Sequence, residues 1–490
     1  MKLYHQPSPD IAEPVMARRL WVTMLLIYLY FSTTYTGGDM PNSILSLTAS
    51  LMENQRLSIG AYAATSVDVS IHDGQFYSGM APGVSVLAIP GYWLARSCLW
   101  LMPGKLENWC RRHLDRLKER TTEPRHLVHA PDPLFFLIFC TVCNLGALLL
   151  CATVAPLVYL LLRHYGMGQA PSLLLALSCG LGTPCFGYCG LYTQTVAVCC
   201  LVWGYSILLY AYTQSKSGYF LLGGLLVGLA GCCDYHCWIY AGGIALLFGI
   251  QSGWPKSFRL LIGLAIPALL LGWYHQAAFG HFLATPYHFR EGSVAVLLQQ
   301  GLMGLSLPTS SQIIHRLFSM RDGLIVTCLP LLLWPVWSYA GCRQRGYRLE
   351  VLTWSYIIAM DSLYILAMGW AVSTDAGVGA RYFIPAIPFA ILGLVCLPKN
   401  MYSWLLPLTI AGIGWHWFGN AIGPHYLTDP TRWLAVLQSQ GLSSFVWCNV
   451  AQHFVVLPPI VVSAITIGYC GACLAWVVVY LRQHELNSSK

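Results

Sequence analysis

Asp39 follows two glycines at the end of an apolar run, in the segment Tyr35-Thr-Gly-Gly-Asp39-Met-Pro-Asn. A carboxylate there sits at the water–lipid boundary, and the glycines let the backbone turn without a side-chain clash. That placement suits proton abstraction from a polar acceptor, the work of a general base. Aspartate also fills turns and helix ends, so the residue type alone leaves both roles open. Asp68, His72 and Asp73 form a second polar group, suited to binding an acceptor, holding a metal or shaping a solvated loop. Arg381 follows a glycine-rich turn and precedes Tyr382 and Pro385; Arg321 stands similarly before another apolar run, with Asp322 beside it to neutralise it. An arginine so placed can clamp a phosphate with its planar fork, or simply snorkel to the interface. His288 and Arg290 lie in a long polar connection and are weaker candidates.

The run Cys232-Cys-Asp-Tyr-His-Cys237 has the residue types of a zinc site. A tight hairpin between two short apolar segments would send those side chains in different directions, which argues against a metal. Asp234 with Tyr235 better suits the wall of a polar cavity, because an acid at that depth is costly unless it faces water.

What must position these residues is a set of membrane helices. Of 490 residues, 56% are hydrophobic and 9% charged, against about 25% charged in a soluble domain. Such a chain cannot cover a water-facing surface. Spans of about 20 residues are expected near 20–36, 133–161, 168–187, 193–212, 218–233, 237–251, 259–275, 322–341, 349–372, 381–397, 402–420 and 456–481. The fold class is therefore all-α, a polytopic helical protein of about twelve spans forming one membrane domain over 1–490. The 19 cysteines are scattered through apolar runs, where they behave as small hydrophobes. The N-terminal stretch reads as a cytoplasmic tail before an uncleaved span.

Charge asymmetry sets the expected topology. Arg163, Lys216, Lys256 with Arg259, Arg343 with Arg345 and Arg348, and Lys399 fall on alternate connections. They share the cytoplasmic side with Arg18 and Arg19 only if the interrupted segment 84–102 does not cross. That segment then reads as interfacial or re-entrant, at the cost of placing the mixed-charge stretch 105–125 outside. A large first external loop, 36–132, follows, with further external segments at 273–320 and 421–455 and a short turn at 373–380. Leu45, Ala49, Leu51 and Met52 are spaced for an amphipathic interfacial helix. The net charge of +8 is explained by these loops and implies no nucleic acid. No nucleotide-binding or zinc-protease motif and no inverted repeat is present.

The pattern resembles the GT-C superfamily, polytopic transferases that use polyprenyl-phosphate sugars, with protein O-mannosyltransferases and aminoarabinose transferases as kin. There an acid begins the first external loop, interfacial helices follow, and a Pro-Gly turn precedes the next span. Asp39, the 41–55 helix and Ala81-Pro82-Gly83 occupy those places. The resemblance continues through Gly180-Leu-Gly-Thr183, Phe279-Gly-His-Phe, Pro286-Tyr287, Arg321-Asp-Gly-Leu324 and Gly379-Ala-Arg-Tyr-Phe-Ile-Pro385. The paired lysine-proline signature of aminoarabinose transferases is missing, which argues against that sugar.

The resemblance implies a glycosyltransferase moving a hexose or pentose from a polyprenyl-phosphate donor to a glycan, lipid or protein acceptor. It implies a site on the external face of a membrane, with a bacterial inner membrane as the expected setting. Asp39 would be catalytic; Arg381 and Arg321 would hold the donor phosphate. Asp68, His72, Asp73, Asp234, Tyr235 and His288 would line the acceptor side or cavity. Members of the superfamily differ in metal dependence, so a divalent ion is neither required nor ruled out. The competing expectation is a transporter or flippase of a lipid-linked saccharide, which would share the helices and a basic external arginine.

Overall fold

A computed structural model describes residues 12–32, 39–120, 126–290, 305–320, 323–344, 346–368, 380–422, 435, 437–439, 441–442 and 457–488. Each of the twelve apolar segments read from the sequence carries helix. Five described helices are long and apolar enough to cross a membrane: Glu13–Phe31, Pro133–His164, Trp254–Phe279, Arg348–Ala367 and Pro459–Gln483. The protein is an integral membrane protein, and its described residues hold helices apart from one small hairpin.

Local chemistry fixes where the helices start and stop. Asp132 accepts from the Phe135 amide at 3.1 Å, and Pro133 follows it at the first helical position, where a missing N–H costs nothing. The helix that begins there (α6, Pro133–Cys151) breaks at Ala152–Thr153 before α7 (Val154–His164). Asp132 also takes a bond from Arg111 Nη1 at 3.0 Å, which ties the preceding charged helix (α5, Gly104–Arg120) to the start of α6.

The opening helix, α1 (Ala12–Phe31), lies beside the far helix Pro459–Ser488. Tyr30 and Thr466 share a hydroxyl bond of 2.7 Å, and Tyr469 donates to Leu26 O at 3.1 Å. The Arg19 guanidinium packs over the rings of Trp476 and Tyr480 at 4.9 and 4.1 Å.

The segment after α1 is more enclosed than an amphipathic surface helix would be. Helix α2 (Asp39–Asn54) buries every residue from Pro41 to Ser50. Its polar side chains are small and each finds a partner. Ser43 Oγ donates to Asp68 O at 2.6 Å, Thr48 Oγ1 to Ser85 O at 2.7 Å, and Asn42 Nδ2 to Thr65 O at 2.8 Å. A buried hydroxyl with a partner avoids the desolvation penalty. Two four-residue strands follow, β1 (Val69–His72) and β2 (Gln75–Ser78), antiparallel with Val69 opposite Ser78. Asp73 and Gly74 both have positive φ, 49° and 71°, the signature of a two-residue Asp-Gly turn. Beyond them α3 (Gly83–Leu87) and α4 (Ile89–Trp100) turn Trp93, Leu94 and Trp100 outward.

The remaining bundle comprises α8 (Gln169–Leu181), α9 (Pro184–Tyr188), α10 (Ala197–Thr213), α11 (Tyr219–Cys233), α12 (Cys237–Ser252) and α13 (Trp254–Phe279). After them come α14 (Ser310–Phe318), α15 (Leu324–Thr327), α16 (Trp334–Arg343), α17 (Arg348–Ala367), α18 (Ile387–Gly393), α19 (Leu405–Ile422) and α20, the Pro459–Ser488 helix. Helices α11 and α13 touch backbone to backbone. A Cβ on Gly224 would lie 2.5 Å from Leu260 O, and one on Gly263 would lie 2.4 Å from Leu221 O. Small residues at such contacts let helices pack where lipid offers no hydrophobic drive. Arg316 of α14 is buried and donates to the carbonyls of Ile365, Leu366 and Met368. It thereby caps the negative end of α17.

Candidate functional site

The hairpin brings one arm of the site together. The 286–290 segment lies along β1, with Ser70 bridged to Arg290 and Ser70 Oγ donating to Pro286 O at 2.7 Å. Arg290 then reaches Asp68, Nη1 to Oδ1 at 3.1 Å, and its Nη2 donates to Gly79 O at 2.9 Å. Its guanidinium also lies over the Tyr287 ring at 5.3 Å. Gly79 must be glycine here, since a Cβ would come 2.7 Å from Asp68 O and 3.0 Å from the arginine.

The second arm comes from the α11–α12 junction. Helix α11 ends at Cys233, and Asp234 turns to extended backbone. Asp234 Oδ1 accepts from His236 Nδ1 at 2.8 Å. On the far side of the ring, Nε2 stands 3.9 Å from Asp361 Oδ1, midway along α17. The imidazole stacks on Tyr364, centroids 5.3 Å apart at 12°, and meets Tyr240 and Tyr382 edge-on. Burial alone would lower the pKa of His236; the adjacent, hydrogen-bonded Asp234 carboxylate overrides that, with Asp361 adding, and the net is a rise to about 9.

Tyr287 joins the two arms. Burial pushes its phenol up; Asp234 raises it further, Arg290 opposes, and Tyr382 and Asp68 add to the rise. Tyr235 meets the Tyr287 ring edge-on at 5.7 Å and bonds to His275 Nε2 at 2.9 Å. His275 Nδ1 faces Phe282 O at 3.2 Å. A carbonyl only accepts, so Nδ1 carries the proton in the neutral ring and Nε2 accepts from Tyr235. Arg381 opens the turn before α18, donates from Nη2 to Tyr382 Oη at 3.1 Å, and lies within electrostatic reach of Tyr188 and Asp68.

Asp68, Asp234, Tyr235 and Arg381 therefore lie around one polar wall. Asp39 begins α2 and accepts from the Val67 amide at 2.8 Å, one residue from Asp68. Its backbone carbonyl accepts from Ser66 Oγ at 2.5 Å. His72 packs on Phe289, centroids 4.5 Å apart, and Asp73 forms the exposed hairpin turn 3.5 Å from it. His288 bonds locally to Thr285 at 3.2 Å. Arg321, the Gly37-Gly38 lead-in and most of 421–455 lie outside the described residues. Among the described residues no group of three His, Cys, Asp or Glu side chains has a geometry suited to a metal ion. Cys232 instead donates to Pro267 O at 3.3 Å.

Sequence reasoning weighed His236 only as a metal ligand in the Cys232–Cys237 run, and passed over Asp361, His275 and Tyr364. Asp361 carried a signal, since an acid within an apolar span is rarely idle. The partnership of His236 with it was invisible, because the two are separated by several helices.

No protein-family model and no curated protein matches the sequence. Among solved structures the chain is similar to ArnT from Cupriavidus metallidurans bound to undecaprenyl phosphate. The TM-score is 0.50 at 13% identity, covering 95% of this chain and 77% of that one. It also aligns with the oligosaccharyltransferase AglB from Archaeoglobus fulgidus, in complex with an inhibitory peptide and a dolichol-phosphate. That TM-score is 0.45 at 11% identity, over 88% of this chain and 58% of that one. At such identities the likeness is one of fold.

Proposed function

We propose that this chain, whose fold is that of the GT-C membrane glycosyltransferases, transfers a sugar from a polyprenyl-phosphate carrier to an acceptor on the external face of a membrane. The observation that carries the reading is the position of Arg381. Its guanidinium stands beside Tyr382 at the polar wall that Asp68 and Asp234 share, at the start of a short apolar helical segment. A cation there meets a phosphate attached to a lipid lying in the bilayer.

In this reading Asp39 takes the proton from the acceptor hydroxyl or amine. The acceptor oxygen or nitrogen forms a bond to the anomeric carbon while the bond from that carbon to the phosphate oxygen breaks. The electron pair leaves with the polyprenyl phosphate, and Arg381 stabilises the growing charge. The Val67 N–H fixes the Asp39 carboxylate at Oδ1, so the base is oriented before substrate arrives. Asp68 is held by Arg290 and serves as part of the wall. Arg321 is proposed as a second phosphate contact. The first loop, 36–132, is proposed to be external, with 84–102 not crossing and the setting a bacterial inner membrane.

Purified protein in proteoliposomes with radiolabelled undecaprenyl-phosphate glucose, galactose or mannose, plus a membrane-glycan extract, tests this. Transfer of label to the extract, with release of undecaprenyl phosphate, is the expected result. Movement of intact labelled lipid between leaflets, with no transfer, would establish the flippase reading instead.

A further inference from the structure

Two buried carboxylates flank a single histidine at the α11–α12 junction, and only one of them reaches the polar wall. Asp361 is fully enclosed, whereas Asp234 keeps 8% of its side chain accessible. Resting on the reading above, we infer that His236 is a positioning residue that pins the Asp234 carboxylate, through Nδ1, as the acceptor for hydroxyl groups of the donor sugar, with the Asp361 charge facing the ring from behind at 3.9 Å.

The geometry supports each link. Nδ1 faces a carboxylate oxygen at 2.8 Å, so it donates, and Asp234 Oδ1 is committed to that bond. The Asp234 side chain keeps 8% of its surface accessible, and its charge is felt by two tyrosines of the wall, Tyr287 and Tyr382. A carboxylate edge beside phenols is a common surface for polyol recognition in chemical terms, since it accepts and they both accept and donate. The ring itself has no freedom to turn away. It is clamped flat against Tyr364, and α17, which carries Asp361 and Tyr364, is capped by Arg316. The proposed phosphate ligand, Arg381, adjoins Tyr382, so phosphate and sugar contacts would be neighbours. The groups facing His236 are Asp234, Tyr240, Asp361, Tyr364 and Tyr382. Nδ1 makes the ring's hydrogen bond to Asp234, whereas Nε2 faces Asp361 at 3.9 Å, a charge contact beyond hydrogen-bond reach.

The test separates sugar from phosphate. Full-length protein in nanodiscs is titrated with undecaprenyl phosphate and with undecaprenyl-phosphate glucose, galactose and mannose. The ratio of sugar-bearing to bare affinity is the sugar increment. In the wild type at least one sugar should give an increment. His236→Ala should cut it about ten-fold, the loss expected for a charge-assisted hydrogen bond, while affinity for bare undecaprenyl phosphate stays unchanged. His236→Asn places an amide N–H near the Nδ1 position and should restore most of it; His236→Gln, with its amide near Nε2, should not. Unchanged bare-lipid affinity also certifies that each variant is folded. A wild-type protein that binds none of these lipids overturns the glycosyltransferase reading. A sugar increment that is absent in the wild type, or is the same in His236→Ala as in the wild type, overturns the positioning role alone. Loss of both affinities in Ala, Gln and Asn variants alike would make His236 a structural residue and overturn it too.

Discussion

Arg290 and Asp68 are separated by 222 positions and meet at 3.1 Å, with 9% and 20% of their side chains exposed. The pair stitches the segment after α13 onto the hairpin after α2, so two distant stretches form one wall. Arg290 also satisfies the Gly79 carbonyl. Removing the arginine would leave a mostly buried carboxylate and a carbonyl without their donor. Breaking such a pair costs about 3 kcal/mol. Arg290→Met should therefore lower the unfolding midpoint in detergent by several degrees, and Asp68→Asn in the same chain should recover part of the loss. A midpoint unchanged in Arg290→Met would show that the pair contributes nothing.

Asp39→Asn is expected to abolish transfer while expression and donor binding persist. General-base assistance is worth about a hundred- to ten-thousand-fold. Asparagine keeps an oxygen for the Val67 amide but takes no proton at neutral pH. Turnover within a few-fold of wild type in the transfer assay would remove Asp39 from the chemistry and leave it as an anchor for the 66–68 turn.

Arg381→Lys keeps the charge and loses the planar fork. Affinity for bare undecaprenyl phosphate should fall by about ten-fold or more, given what hydrogen bonds to charged groups contribute. Calorimetric titration in nanodiscs measures this, and an unaltered affinity would assign the phosphate to another cation.

His236 makes stability depend on pH in a defined direction. Its folded pKa of about 9 lies above the ordinary value of about 6.5, so the folded state binds the proton more tightly. The resulting stabilisation is fully present below pH about 6.5 and is lost as pH rises through about 9. Thermal unfolding followed from pH 6 to 10 should show the midpoint dropping in the wild type and a flatter profile in His236→Asn. Identical slopes would mean the imidazole does not hold its proton.

The sequence reading located the helices well, because long apolar runs bounded by charges, Pro and Gly carry a strong local signal. Asp132-Pro133 before α6 is an example: a capping acid and a first-turn proline are both visible in the chain. The hairpin was overlooked although Val-Ser-Ile-His-Asp-Gly-Gln-Phe-Tyr-Ser holds an Asp-Gly turn between alternating residues. Its strands have only four residues each, and the surrounding loop suggested function before structure. Asp73 thus entered the candidate site on residue type alone, where the positive φ now gives it a turn role. Asp234 and Arg381 were legible as polar residues at the ends of apolar runs, and Asp68 as part of the polar group in the first loop. Their assembly around Tyr287 was not, because contacts between residues hundreds of positions apart leave no trace in local spacing.

The seam between α1 and α20 joins two helices more than 400 positions apart in the chain. Thr23 donates to Cys473 O across 450 positions at 3.4 Å, and the Arg19 guanidinium packs on two aromatic faces of α20. During synthesis α1 enters the bilayer early and waits for those partners through the insertion of every helix between. Without α20 the Arg19 guanidinium would lose the Trp476 and Tyr480 rings and the Tyr30 hydroxyl would lose Thr466. Docking of α20 onto α1 thus closes this side of the bundle only after the helices between them are in place.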